Sequence, residues 1–387
     1  MSSVYIVEAK RSAIGKFMGV LQPLSAPQIA GAVLGEVCSA LPDKAQIEQV
    51  LMGCVLSAGL GQAPARQAAL LAGLPQSTGA ITINKVCGSG LQTAMLASAQ
   101  IALGQASLLA VGGMESMSNA PYLLPKLRQG QRMGHTQAMD HMFLDGLEDA
   151  YERGTAMGCY AEATAKRYDF SRKAQDDYAC ESLARAKSAD FSAEICAVSV
   201  PQRAGSVDVV QDECPTSMKV EKISQLKPAF HKEGTVTAAN ASAIADGAAA
   251  LLLASEEAVK EYGLKPRAKI ISSASHAQEP CWFTLAPVMA TQKLLSQAGW
   301  SAQAVDLYEI NEAFAVVPMA WMRELNVSHE RVNVKGGACA LGHPIGASGA
   351  RILVTLLHAL EERDLSRGVA SLCIGGGEAV AMAIERV

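Results

Sequence analysis

The order glycine turn, helix, strand, glycine pair occurs twice in this chain, and that echo restricts its fold more than any other feature. After Gly88-Ser89-Gly90 comes the alanine- and leucine-rich run Leu91 to Leu103, then the strand-like Leu108 to Val111 and Gly112-Gly113. After Ala347-Ser348-Gly349 comes a second helical run, Arg351 to Glu362, then Val369 to Ile374 and Gly375-Gly376-Gly377. Glycine at such junctions permits tight bends and close approach of the backbone to a neighbour or ligand. Two units of like topology predict two α/β halves facing each other.

The rest of the chain supports this class. Val4 to Glu8 is a short apolar strand, Ser25 to Ala40 has helical spacing, and Gln49 to Cys54 returns to strand character. The alternation predicts largely parallel sheets covered by helices. Ser116 to about Ala245 breaks the rhythm with more charge and more turns and is predicted to be a large insertion. Within it Ser171 is the predicted N-cap of a helix running to Lys187. Asp246-Gly247 is predicted to turn the chain back into the core through Ala248 to Ala254.

Composition excludes several function classes. The 387 residues carry 33 basic against 37 acidic side chains with no block of like charge, so nucleic acid is not an expected partner. The start lacks a secretory pattern and no stretch approaches the apolar length of a membrane span, so a cytoplasmic protein without membrane insertion is expected. Ten cysteines include no C-x-x-C pair, which argues against a zinc ribbon or dithiol redox motif. Most are expected to be small buried hydrophobes.

Two thiols and an imidazole stand apart because glycines frame them. Cys87 precedes Gly88-Ser89-Gly90 at the predicted start of a helix, where the positive end of the dipole would lower a thiol pKa and prime a nucleophile. The alternative is a buried cysteine packing a helix start. His343, between Gly342 and Pro344, is held in a rigid loop and suits deprotonation of a thiol or hydrogen bonding to a thioester oxygen. The other six histidines are expected at the surface. Cys373 ends an apolar strand before three glycines, and the N–H of Gly375 is a candidate oxyanion donor beside that of Cys87. One thiol to carry an acyl group and another to move an α-proton fits carbon–carbon bond formation through a thioester. Asn311 is either the N-cap of the following helix or a holder of water at a carbonyl oxygen. A zinc site from Cys87, Cys373 and His343 lacks paired close-spaced ligands, so no metal is expected. Neither nucleotide-binding glycine motif is present.

Assembled, these segments resemble the thiolase family over essentially the whole chain. Further matches are Val7 to Gly15, Gly61 to Ala68, Gly112-Gly113-Met114-Glu115-Ser116-Met117-Ser118 and Asn311 to Ala315. The resemblance implies the thiolase fold, an α/β five-layer αβαβα sandwich of two similar halves plus a loop domain that binds coenzyme A. The halves would be 1–116, completed by about 246–265, and 266–387, with the loop domain at 117–245. It also implies a homodimer or homotetramer, no permanently bound cofactor, and coenzyme A thioesters as substrates. By the same resemblance Cys87 is the acylated nucleophile, His343 its base, Cys373 the proton shuttle, and Asn311 the holder of an oxyanion water. Gly375 and Cys87 supply the second oxyanion site. Ser242 meets the pantetheine arm beside Ala241, and Met157, Phe230 and Phe314 line the channel.

The chain departs from the family pattern in places. Ala156-Met157-Gly158 replaces the His-Met-Gly usual in biosynthetic acetoacetyl-CoA thiolases, and Asn240 to Gly247 carries alanines at 243 and 245 for a glycine and an asparagine. Cys214-Pro215 occupies the region of an expected arginine, and Glu378 stands where an uncharged residue is common. The expected reaction joins two acetyl-CoA molecules reversibly into acetoacetyl-CoA and CoA. Alternatives are cleavage of longer 3-oxoacyl-CoA thioesters, a ketosynthase acting on carrier-protein thioesters, and a non-catalytic acyl-CoA-binding subunit.

Overall fold

The computed structural model describes residues 2–41, 43–203 and 205–387. Its first half contains β1 (Val4–Ser12), α1 (Ala26–Cys38), β2 (Gln49–Gly53), α2 (Pro64–Leu71), β3 (Gly79–Ile83), α3 (Ser89–Ala102) and β4 (Leu108–Ser116). The chain then leaves the core, forming α4 (Met157–Tyr168) and α5 (Arg172–Ser188) among irregular segments, and returns as β5 (Ala245–Ser255). The second half contains β6 (Ala268–Ala277), α6 (Ala286–Ala298), β7 (Leu307–Ile310), α7 (Val316–Leu325), the single turn α8 (Ala338–Leu341), α9 (Ile345–Glu362), β8 (Arg367–Ile374) and β9 (Glu378–Arg386).

Local chemistry explains the boundaries. At the head of α1 the Gln28 side chain accepts the Ser25 N–H at 2.8 Å, and Pro27 occupies the first turn, where its missing donor costs nothing. Ser171 Oγ accepts the Ala174 N–H at 3.2 Å, so α5 starts where the sequence places its cap. β4 and β5 are buried along their whole length, which small and aliphatic residues permit when both sheet faces are covered.

The strands form one continuous sheet in the order β7-β8-β9-β6-β1-β5-β4-β2-β3, with two short segments attached to it. From the β1·β6 seam outward, the two sides repeat one another: β1-β5-β4-β2-β3 against β6-β9-β8-β7, with a parallel bridge from Tyr308 to Val332 where β3 would stand. Only Tyr5↔Lys269 and Ile6↔Ala268 pair across the seam. The sheet is mixed rather than largely parallel: β2 pairs in parallel with β3 and β4, and β7 with β8, while β1·β5, β5·β4, β6·β9 and β8·β9 are antiparallel. The reason is that β5 enters after the insertion and β9 after a glycine hairpin, neither through a crossover helix.

Three apolar clusters account for the layering. One joins α1 and α2 to the first sheet half, one joins α6 and α7 to the second, and the third lies between the halves around α3 and α9. Helix, sheet, helix, sheet, helix is the resulting five-layer order. α3 and α9 meet through glycine: a Cβ on Gly349 would lie 2.3 Å from the Leu91 nitrogen, and one on Gly90 2.7 Å from that of Ala350. Their N-terminal ends therefore meet almost backbone to backbone, with Cys87 and His343 each a few residues upstream.

Asp246-Gly247 is not a turn but part of β5. The Asp246 carboxylate accepts from the Ser118 N–H at 2.9 Å and the Ser118 hydroxyl at 2.6 Å, which fixes the chain leaving β4. Two of the histidines expected at the surface, His141 and His358, are buried. His358 Nε2 lies 3.0 Å from the Ala9 carbonyl oxygen, and His141 Nδ1 2.6 Å from an Asp145 carboxylate oxygen. Among the described residues no helix is long and apolar enough to cross a membrane.

Candidate active site

Cys87 lies in a tight turn between β3 and α3, one residue before the Gly88 cap. Val86 has φ of 46°, a left-handed conformation that a β-branched residue adopts only when its surroundings impose it. Three bonds do so: Asn84 Oδ1 accepts the Val86 N–H at 3.0 Å, Ser89 Oγ accepts the Lys85 N–H at 2.8 Å, and the Ser89 hydroxyl donates to the Val86 carbonyl at 2.7 Å. The turn presents the thiol to two backbone donors, its own N–H and that of Gly375.

Burial nevertheless pushes the Cys87 thiol up to about 11, against the opposing pull of these two N–H groups, with Glu115 adding to the rise. The lowered pKa expected from the helix end is therefore corrected. The local sequence shows the dipole, whereas the desolvation comes from distant segments, including Val55, Leu56, Met117 and Ile345, whose cluster Cys87 packs against. Alkylation of Cys87 by iodoacetamide should accordingly be slow at pH 7 and climb about tenfold per pH unit toward that pKa, as the reactive thiolate fraction grows. A plateau near pH 8, read by mass spectrometry of the labelled peptide, would contradict the geometry.

Cys373 is fully buried near the end of β8, beside the partner strand's Ala379. Its thiol is held well above the usual range, first by burial and then by the neighbouring Cys87. His343 is also buried, and its backbone N–H is bound to the Ala243 carbonyl at 2.9 Å. Its Nδ1 contacts Ser348 Oγ, whose hydroxyl donates to the Pro344 carbonyl at 2.9 Å. With that donation made, Ser348 accepts from Nδ1–H, and Nε2 is left as a bare acceptor. Nε2 indeed has no partner. Burial, and after it the Arg351 guanidinium, depress the imidazole to about 3, so it is neutral at physiological pH.

Asn311 does not cap a helix; α7 begins at Val316 with Ala315 as its cap. The Asn311 backbone N–H donates to Ser371 at 3.0 Å, while its buried side-chain amide and carbonyl have no partner among the described residues. Such a group costs free energy unless it meets a ligand or water. The unpartnered amide and the unpartnered Nε2 are side-chain polar groups of the site free to bind substrate.

A largely apolar cavity of about 540 Å³ leads to this region and is lined by Met157, Phe230, Ala241, Ser242 and Phe314, the five binding residues expected from the sequence. The Phe230 ring packs where a Cβ on Gly158 would stand, 2.2 Å away. Ala241 pairs with Phe314, and Ser242 N–H donates to Ala313 at 3.0 Å, so one stretch ties the cavity wall to the segments carrying Asn311 and His343. A Cβ on Gly375 would lie 3.5 Å from Met157 Cε, which places the cavity wall beside the second donor.

Sequence reasoning missed several supporting residues. Phe17, Phe143, Leu147 and Ile244 also line the cavity. Glu115 accepts the N–H groups of Val55, Leu56 and Gly346 at 2.9–3.1 Å, tying β4 and the loop after β2 to the head of α9. Burial raises it to about 7 against those bonds. Glu312 accepts from Tyr178, Ser182, Asn333 and the Cys339 N–H at 2.8–3.0 Å, fixing α5 and α8 to the segment after β7. Both carboxylates lie in segments that carry the family resemblance, but nothing in those segments announces the contacts they make.

Comparison with known proteins agrees with this architecture. Residues 4–257 match the model of the thiolase N-terminal domain and residues 264–386 that of the thiolase C-terminal domain. Acetyl-CoA acetyltransferases of Cupriavidus necator and Escherichia coli are each 48% identical to this chain, covering all of both sequences. A thiolase of Ascaris suum, solved in complex with coenzyme A, superimposes with a TM-score of 0.94 at 44% identity over the full length of both chains. The Bacillus anthracis acetyl-CoA acetyltransferase gives 0.96 at 39% identity, covering all of this chain and 99% of that one. With both domain models matched in order and full-length relatives near half identity, the chain belongs to the thiolase family.

Proposed function

We propose that this protein is an acetyl-CoA acetyltransferase, interconverting two acetyl-CoA molecules with acetoacetyl-CoA and free CoA. The reading rests above all on one juxtaposition: a thiol facing two backbone N–H donors, with a second thiol close enough to feel its charge. In the first half-reaction Cys87 Sγ attacks the thioester carbonyl while His343 Nε2 takes the thiol proton. The carbonyl oxygen, becoming negative, accepts from the N–H groups of Cys87 and Gly375. Collapse breaks the C–S bond to CoA, and Cys373 protonates the departing thiolate.

The second half-reaction starts from the Cys373 thiolate so formed. It removes an α-proton from the second acetyl-CoA, whose enolate oxygen accepts from the now protonated His343 and from a water held by Asn311. The enolate carbon attacks the acyl-Cys87 carbonyl, the C–S bond to Cys87 breaks, and His343 returns its proton to the thiolate. Buried Cys373 is suited to this step, because a thiol that resists ionisation gives a strongly basic thiolate. No permanently bound cofactor enters the cycle. Thiolysis of acetoacetyl-CoA, followed by loss of its absorbance, tests the whole reading; an inactive protein that still bound acyl-CoA would favour the non-catalytic alternative.

Coenzyme A would enter through the cavity, its pantetheine arm along Ala241 and Ser242. Met218 and Ser217 are shared with an adjoining groove that carries Lys219 and Lys222, which supply positive charge near Cys214-Pro215, where the family's arginine is missing. Replacing both lysines by glutamate should raise KM for CoA about tenfold or more with little change in kcat, as removal of binding common to ground and transition states does. Cleavage of longer 3-oxoacyl-CoA thioesters is the second reading, favoured by Ala156, Leu147 and Phe143 on the apolar wall. Turnover across a series of chain lengths separates the two.

Functionally we divide the chain into 1–116 with 246–265, a coenzyme-binding loop domain at 117–245, and 266–387. We place it in the cytoplasm as a homodimer or homotetramer. The outer edge strand β3 carries exposed Ile81, and the adjoining α2 exposed Leu70 and Leu71, an apolar border suited to a second copy. Sedimentation velocity reads the state directly.

A further inference from the structure

The nucleophile turn and the glycine turn that supplies the second oxyanion donor come from opposite halves of the molecule. Nothing in either turn alone fixes their separation. Lys85, two residues before Cys87, forms an ion pair with Glu378, three residues after Gly375. Both ends sit where movement matters: Lys85 at the start of the turn strained at Val86, and Glu378 as the first residue of β9, paired with Ile374 across the hairpin. Val86 and Gly375 face one another beneath the pair, with Val86 Cγ1 3.9 Å from where a Gly375 Cβ would stand.

Resting on the acyltransferase reading above, we propose that Lys85 and Glu378 are positioning residues that hold the Cys87 and Gly375 N–H groups at the spacing one thioester oxygen requires. Neither touches the reacting atoms. An exposed ion pair contributes little to stability, and this one, with side chains 25% and 37% exposed, belongs to that class. Its value is geometric: two donors must meet one oxygen within a few tenths of an ångström, and displacement of a site by about 1 Å can cost on the order of 10²-fold in rate.

The test uses the full-length enzyme and three variants: the charge-neutral double Lys85→Met/Glu378→Gln, the conservative Lys85→Arg, and the swap Lys85→Glu/Glu378→Lys. In the double variant kcat for thiolysis should fall about tenfold with KM for CoA unchanged, well short of the ~10²–10³-fold cost of deleting an oxyanion donor outright. Lys85→Arg and the swap should recover most of the loss. Because the pair is partly exposed, salt at about 1 M should lower wild-type kcat toward that of the double variant and leave the double variant unmoved. Wild-type kcat in the double variant, or a swap as slow as the double, would overturn the proposal. Thermal melts within a few degrees of wild type show that folding is not the cause. A wild-type protein with no thiolysis at all would instead defeat the acyltransferase reading itself.

Discussion

Alanine at position 87 is expected to abolish both acylation and turnover, with kcat falling by about 10⁶-fold, the scale seen when a covalent nucleophile is removed from a preorganised site. Radiolabelled acetyl-CoA should leave no label on the denatured variant, whereas the unaltered protein should retain one acyl group per chain. The loss is this large because nothing else can substitute. Cys373 is fully buried and directed to the same space, but the N–H donors of Cys87 and Gly375 face the Cys87 sulfur. Label persisting on Cys87→Ala at the wild-type level would mean that another thiol carries the acyl group.

Cys373→Ala should separate the two halves of the cycle. Acetyl transfer to Cys87 needs His343 and the oxyanion donors, so labelled acyl-enzyme should still form, more slowly because the departing CoA thiolate lacks its proton donor. Condensation should fall by roughly 10²–10⁴-fold, the usual contribution of a positioned acid or base. Rapid-quench measurement of label on the protein against acetoacetyl-CoA released distinguishes these steps. Normal condensation in Cys373→Ala would sink the proton-shuttle role.

The parts legible in the sequence were those written in glycine. Gly342, Gly376 and Gly377 take the left-handed conformation that favours glycine, Gly88 and Gly90 leave no room for a side chain, and the site lies beside them. The paired order of helix and strand was legible for the same reason. Strand direction was not, although three glycines between two apolar runs are a hairpin signal that the alternating pattern overshadowed. Cys87 shows a different limit. Its helix is local, but the burial that reverses its expected pKa comes from residues at 55, 56, 117 and 345, which no window around position 87 contains. The roles of Glu115, Glu309 and Glu312 were hidden for that reason too, although Glu115 and Glu312 lie in segments that carry the family resemblance. A glutamate is ordinary in a sequence and becomes informative only when buried, as where Glu309 meets Arg351 at 3.2 Å and burial raises it to about 8.

The glycine contact between α3 and α9 has an evolutionary consequence. With main chain against main chain at the heads of these helices, any added side-chain atom there would collide with a nitrogen or carbonyl that cannot step aside. Descendants of this protein that accept bulkier acyl groups must therefore acquire the necessary room from the irregular cover contributed by 117–244, while the paired helices under it stay unaltered.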